Sequence, residues 1–321
     1  MHEGLILHYT LHEDGAHLVR VLGDTPCPVL PDTLGGAPLV QIGAYAFSAS
    51  SQKAVAHGQQ MEECFGPAPA AAAPLCGNFL ESVTLPDSVQ VLGNAAFYNC
   101  RQLKSLEFGP NISGVGSDLF SNCRSLHQMI LRTARTSPVG LRRVVNAFSG
   151  DVQAFLQDED GIFASMRYPE FWEELEENAP AHIFQRGIRG RGYHYRQCFA
   201  AESLNFAEFD SVFPLAIPEE DPAVMAGLAF SRLRWPWALG EEARQAYLEY
   251  LRGKADLAAC DLIRGQDLEG LEALCRLEVF TPETLTAALT FARKNSAAQA
   301  AALLTRSQSK RSAPAPKTYE F

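Results

Sequence analysis

The chain has 321 residues, 47% of them hydrophobic and 20% charged, with a formal net charge of −10. That composition excludes a disordered chain and leaves room for two domains with cores of their own. Residues 1–134 hold 6 Lys+Arg against 11 Asp+Glu, and residues 135–321 hold 21 against 26, so the acidity is even and a broad nucleic-acid-binding surface is excluded.

The N-terminus, MHEGLILHYTLHEDGAHLV, lacks the basic segment of a signal peptide. The sequence has no run of about 18 apolar residues that would span a membrane. A cytoplasmic location is expected on this reading. The eight Cys form no CxxC pair, and in a reducing compartment they are expected as free thiols.

Residues 4–23 read as a β-hairpin, with Leu5, Leu7, Tyr9 and Leu11 alternating with Ile6, His8 and Thr10, and Glu13-Asp14-Gly15 as the turn. His12, Glu13 and His17 are spaced one residue too far for an HExxH zinc site, and Gly15 stands where that motif needs helix. No metal is expected there.

From residue 29 the text repeats. Leu30-Pro31-Asp32 matches Leu85-Pro86-Asp87, and Ile42-Gly43 with Ala46-Phe47 matches Leu92-Gly93 with Ala96-Phe97. Shifted by 23 residues, the stretch 92–131 falls on itself. Gly93 meets Gly116, Phe97 meets Phe120, Asn99 meets Asn122, Cys100 meets Cys123, Leu103 meets Leu126, and Leu106 meets Met129. A fixed period of this length is the signature of a solenoid. Phe47 stands 33 residues before Leu80, whereas Phe97 stands 6 before Leu103, so residues 49–76 are an insertion, and its Pro-Ala run at 67–74 reads as a polyproline-like loop.

The pattern resembles the BspA-like bacterial leucine-rich repeat, whose unit runs roughly LxxLxLPxSVxxIGxxAFxxCxxL, over about residues 29–131. Three motif cores carry the likeness: 42–47, 92–100 with Leu103, and 115–123 with Leu126. Ser50 near the first Cys position, Leu119 in place of Ala and the shifted Gly109-Pro110 depart from it. The resemblance implies a right-handed solenoid with a short parallel sheet along one face and like side chains stacked in ladders. Stacking would bury Leu80, Leu103 and Leu126 together, Phe97 on Phe120, and Cys100 on Cys123 as small hydrophobes. Asn99 and Asn122 are expected to bond turn backbone.

A short array needs covers at both ends. The N-terminal hairpin is one, and residues 152–168, two strand-like runs about Glu159-Asp160-Gly161, read as the other. After Pro169 the composition turns helical, with an acidic helix expected over 170–177. Residues 186–196 then gather four Arg, three Gly, two Tyr and one His. Arg186, Arg189, Arg191, His194 and Arg196 form a candidate anion contact. The competing reading is a tight loop whose arginines pair with Glu173, Glu174, Glu176 and Glu177, and it is favoured. Further helices are expected at 222–234, 241–252, 255–264, 268–277, 282–293 and 297–305, with Thr281 capping and Pro282 at the first position. Short turns join them into αα-hairpins that weakly resemble ankyrin-type helix pairs, without the TPLHxA core. The tail 307–321 is expected to be mobile.

The fold class expected is α+β: a short leucine-rich-repeat β-solenoid capped by hairpins over 1–168, with the insertion 49–76, then an all-α helical-hairpin repeat domain over 169–306. No nucleophile, base and oxyanion set can be assembled, so no catalytic residue and no cofactor is expected. The leading function is a non-catalytic adaptor that binds an unidentified protein or peptide, and no nucleic acid or membrane. An exported cell-surface adhesin, by analogy with the repeat family, and an anion or phosphate binder are the alternatives. Strand alternation places Ser82, Thr84, Ser105, Glu107, Gln128 and Ile130 outward, bordered by Lys104 and His127, as the partner-binding sheet face. A Glu107→Arg change there is expected to weaken binding and leave the melting temperature almost unmoved.

Overall fold

The computed structural model describes residues 4–50, 56–67, 69, 72–178 and 183–312, and leaves the side chains of 176–178, 183–186 and 309–312 undescribed. The chain separates into two units, Met1–Phe209 and Asp210–Phe321, whereas composition placed the change after residue 168.

The first unit opens with the expected hairpin, β1 (Leu5–His12) and β2 (Gly15–Gly23). Leu5, Leu7 and Tyr9 are buried, as the alternation requires. β3 (Thr33–Leu34) pairs with β4 (Ala37–Ile42), and β2 runs parallel to β4. The hairpin therefore caps the first coil by continuing its sheet. The insertion returns to the same sheet. β5 (Met61–Phe65) adds antiparallel to β1, and β6 (Ala73–Pro74) pairs with Leu22 and Gly23. The expected polyproline loop is thus anchored at its end. Residues 51–55, 68, 70 and 71 of the insertion lie outside the described residues.

The solenoid coils follow as β7 (Ser82–Thr84), β8 (Val91–Leu92), β9 (Ser105–Phe108), β10 (Gly114–Val115) and β11 (Gln128–Arg132). Two parallel ladders run along them: β4, β8 and β10 on one side, and β7, β9 and β11 on the other. Between the ladders, Phe47 stacks on Phe97 at 5.2 Å between ring centroids, and Phe97 on Phe120 at 5.7 Å, with planes 5° and 18° apart. All three rings are buried, each contributing about 1.5–3 kcal/mol of transfer free energy.

The turn after each Gly uses left-handed backbone at Tyr45 (φ 58°), Ala95 (φ 53°) and Asp118 (φ 56°). That conformation aims the Tyr45 and Ala95 amides at the next coil, where they donate to Asn94 O (3.0 Å) and Ser117 O (2.8 Å). A methyl on Gly93 would sit 2.6 Å from Ala44 N, and one on Gly116 would sit 2.4 Å from Asn94 N, so the coils close up only with glycine there. Asn99 and Asn122 are also left-handed (φ 62° and 65°). Their side chains bond each other, Nδ2 of Asn122 donating to Oδ1 of Asn99 at 2.8 Å, rather than the turn backbone as expected.

After β11, α1 (Leu141–Asn146) buries Leu141, Val144 and Val145. β12 (Val152–Asp158) and β13 (Gly161–Tyr168) form the second expected hairpin, but β12 also runs parallel to β11. The sheet is therefore five-stranded, in the order β13-β12-β11-β9-β7.

The acidic helix expected over 170–177 is absent. Strand β14 (Trp172–Asn178) stands there, paired antiparallel with β15 (Ile183–Arg189) in a separate two-stranded ribbon. Glutamate favours helix intrinsically, but cross-strand pairing overrides so weak a preference. α2 (Gly192–Tyr195), β16 (Phe199–Ala200) and β17 (Ser203–Leu204) complete the unit.

α3 (Phe206–Ala216) contains the boundary between the units. The second unit continues with α4 (Pro222–Arg234), α5 (Glu241–Arg252), α6 (Ala255–Arg264), α7 (Leu268–Arg276), α8 (Pro282–Lys294) and α9 (Ala298–Ser312). Thr281 and Thr284 make a reciprocal capping box at α8. The pairs α6–α7 and α8–α9 are copies of one design. Positions thirty residues apart are buried alike, Ala258 with Ala288, Ala259 with Leu289 and Leu274 with Leu304. Each pair turns through a left-handed residue, Gln266 (φ 56°) or Ser296 (φ 54°). The expected tail starts inside α9, and 313–321 lie outside the described residues. Among the described residues, no helix is long and apolar enough to cross a membrane.

Candidate functional site

Alternation along β7, β9 and β11 is complete. Val83, Leu106, Phe108, Met129 and Leu131 are buried, while Ser82, Thr84, Ser105, Glu107, Gln128 and Ile130 remain half-exposed on the other face. Parallel register lines them up. Ser82, Ser105 and Gln128 form one row, and Thr84, Glu107 and Ile130 the next. Lys104 and His127 border the first row and are exposed. Lys104 Nζ pairs with Glu81 at 2.7 Å, and the His127 ring lies 2.7 Å from Ser125 O through Nδ1.

The face is wider than the eight expected residues. β12 adds Gln153 to the first row and Phe155 to the second. On the opposite edge, Val29 bridges to Thr84 in parallel and stays 49% exposed. The signal for β12 is in the sequence: Gln128-Met129-Ile130-Leu131 recurs as Gln153-Ala154-Phe155-Leu156. Its spacing of 25 residues rather than 23 hid it.

Arg132 is the other residue that the expectation omitted. Its Nε donates to Asp87 Oδ1 at 2.8 Å, its Nη1 to Glu107 Oε1 at 2.5 Å, and its Nη2 to Leu85 O. Farther along, Arg167 pairs with Asp151 at 2.6 Å, and Arg135 pairs with Asp158. The charges on this side of the sheet are matched locally, which leaves serine, threonine, glutamine, Ile130 and Phe155 to set its chemistry.

The arginine group predicted as an anion contact is not brought together. The backbone of Arg186 lies in β15, and its side chain lies outside the described residues. Arg189 Nε donates to Glu174 Oε2 at 2.6 Å, so the pairing with glutamate holds for this arginine. Arg191 is half-buried at the start of α2, and His194 is exposed on it. Arg196 is fully buried, and its guanidinium donates to the carbonyls of Phe148 (2.9 Å), Pro169 (2.6 Å), Gly192 (3.0 Å) and Gly150 (2.6 Å). A guanidinium spent on backbone carbonyls in the interior is a structural clamp, not an anion site.

The stacked thiols are structural in the same sense. Cys100 Sγ donates to Phe47 O and Cys123 Sγ to Phe97 O, each at 3.0 Å. Burial raises both thiol pKa values, that of Cys123 to about 12. A neutral thiol is a poor nucleophile and a poor ligand. Among the described residues, no group of three or more His, Cys, Asp or Glu could hold a metal ion.

Residues 75–138 match the family described as BspA type leucine rich repeat region (6 copies). Among solved structures, the chain is similar to a T. pallidum leucine rich repeat protein, with 18% identity over 40% of this chain and 70% of that one, at a TM-score of 0.23. No curated protein matches the chain. The 23-residue period, the stacked phenylalanines between parallel ladders and the family match identify residues 75–138 as a BspA-type leucine-rich repeat region.

Proposed function

We propose that the chain is a non-catalytic adaptor that binds a protein or peptide across the outer face of the five-stranded sheet. The observation that carries this reading is the register of that face. Thr84, Glu107, Ile130 and Phe155 stand in one row across four neighbouring strands, and Val29 extends it through an isolated bridge to Thr84. At about 4.8 Å between neighbours, these five positions span roughly 19 Å. A row of this width, with its charges matched and Ile130 and Val29 open, suits an extended polypeptide better than a phosphate backbone. The face is narrow beside the roughly 800 Å² per partner of a standard interface, which favours a short segment as the bound element.

The test is site-specific photo-crosslinking in cells. A photo-crosslinking amino acid at Ser105 or Gln128 should give the same protein adduct, identified by mass spectrometry. The same probe at Arg101, exposed in a turn, should not. Adducts from Arg101 with none from Ser105 or Gln128 would remove the sheet face as the binding site.

A further inference from the structure

The last repeat turn borders a cavity. Earlier turns are tied to one another through backbone: Asn99 N donates to Ser121 O at 2.9 Å, and Phe97 N to Leu119 O at 3.1 Å. The segment 147–151 makes no such bond to the turn at 121–126 among the described residues. Two features account for the gap. The next strand follows after 25 residues instead of 23, and the Phe148 ring meets Phe120 edge-on instead of lying flat on it. The space between turn and segment is about 610 Å³, which is the size of a small-molecule site.

Its wall carries polar groups that the chain does not satisfy. Asn122 is the last of the stacked asparagines. Its Nδ2 donates to Asn99 Oδ1, and its own Oδ1 accepts no bond among the described residues. Arg124 and Glu170 also line the cavity, and both are exposed. They carry opposite charges, yet neither pairs with the other or with any described residue. Other arginines of this unit do take a carboxylate: Arg132 takes Glu107, Arg135 takes Asp158 and Arg189 takes Glu174. The remaining acid on the wall, Asp151, is held by Arg167 through both oxygens, at 3.1 and 2.6 Å.

A guanidinium and a carboxylate left unpaired on one wall select the ligand. An anion alone would meet Glu170 without compensation, and a cation alone would meet Arg124. A molecule carrying both charges satisfies each, since a guanidinium only donates and a carboxylate only accepts.

We propose that this cavity binds a small zwitterion of the α-amino acid or dipeptide class, its carboxylate on Arg124 and its ammonium on Glu170 and Asn122 Oδ1. Both contacts are charge-assisted hydrogen bonds, the stronger kind. The site does not depend on a polypeptide bound to the sheet face.

The test is calorimetric titration of the full chain with each proteinogenic amino acid and each glycyl dipeptide in turn. At least one should bind, and for that compound Arg124→Gln and Glu170→Gln should each weaken binding about tenfold or more. Both side chains are exposed, so the variants should melt like the parent, which separates lost binding from lost fold. Capped ligands distinguish the two ends. N-acetylation should weaken binding to the parent as much as Glu170→Gln does, and should cost that variant little more. The methyl ester should behave in the same way towards Arg124→Gln. Tighter binding of the free amino acids would identify a metabolite as the source, and tighter binding of the dipeptides a peptide. The proposal is overturned if no compound of either set binds, or if capped ligands bind as well as uncapped ones. It is also overturned if either variant binds like the parent, or if a neutral hexose binds equally well.

Discussion

Arg132 reaches from β11 to Glu107 on the neighbouring β9, and the two side chains are only 27% and 28% exposed. Glu107 is therefore committed within the protein rather than free for a partner. Glu107→Arg would place two guanidinium groups on adjacent strands and release Arg132 from its carboxylate. We expect a loss of about 1–2 kcal/mol in urea unfolding, more than the few tenths common for an exposed charge. The expectation that this change leaves stability almost unmoved is revised on these grounds. Ile130→Arg, one strand over and outward, should leave the unfolding midpoint within about 0.5 kcal/mol and is the better probe of binding.

Arg196 makes a stronger prediction. Arg196→Leu strands carbonyls at Phe148, Gly150, Pro169 and Gly192 in the interior. The expected cost is about 3–5 kcal/mol, since each buried acceptor left unsatisfied costs on the order of 1–3 kcal/mol and the site relaxes in part. Hydrogen exchange should quicken at residues 145–150 and 169–171 first. An unchanged exchange pattern there would contradict the clamp.

In the helical unit, Asp210 receives two bonds from Arg232, at 2.8 and 2.9 Å, and a third from Tyr247 Oη at 2.7 Å. Both charged side chains are almost wholly buried. Asp210→Ala leaves a buried guanidinium without its carboxylate, and about 3–5 kcal/mol should be lost. Replacing the two together, Asp210→Leu with Arg232→Met, should cost clearly less than the two single changes summed. Additive losses in thermal unfolding would show that the pair is not coupled.

The thiols order themselves by burial. In the native protein, Cys27 and Cys64, which are exposed, should react with iodoacetamide first, and Cys100 and Cys123 last. The pKa of Cys123 rises from an ordinary 9.0 to about 12 in the fold. Its contribution to stability is therefore complete below pH 9 and is lost as pH climbs towards about 12. Cys123→Ala should flatten that alkaline decline in a plot of unfolding free energy against pH.

Much of the solenoid was legible because stacking imposes identity. Phe97 and Phe120 recur at one period since each ring must lie on the next, and Gly93 and Gly116 recur since a methyl there would strike backbone. The helix pairs were legible for a similar reason, with buried small residues at regular spacing and the Thr281-Pro282 start. The ribbon was not. Four glutamates in seven residues carry no alternation of apolar with polar, and the pairing that makes them a strand lies in 183–189. Nor does anything local distinguish Arg196 from the arginines before it. Only the convergence of two distant segments, 145–150 and Pro169, on one guanidinium tells it apart. The sheet face was half legible, since alternation identifies outward residues but is silent about the ion pair between Arg132 and Glu107.

The phenylalanine stack ends abruptly. Phe148 meets Phe120 edge-on, with an angle of 82° between the rings. Every earlier rung offers a flat ring face to its successor, so a further 23-residue module could be spliced between the coils of Phe97 and Phe120 with each contact reproduced. Beyond Phe148 no such face is presented. The perpendicular ring acts as a punctuation mark: it fixes where the array stops, so the stack can be lengthened in its middle but not at this end.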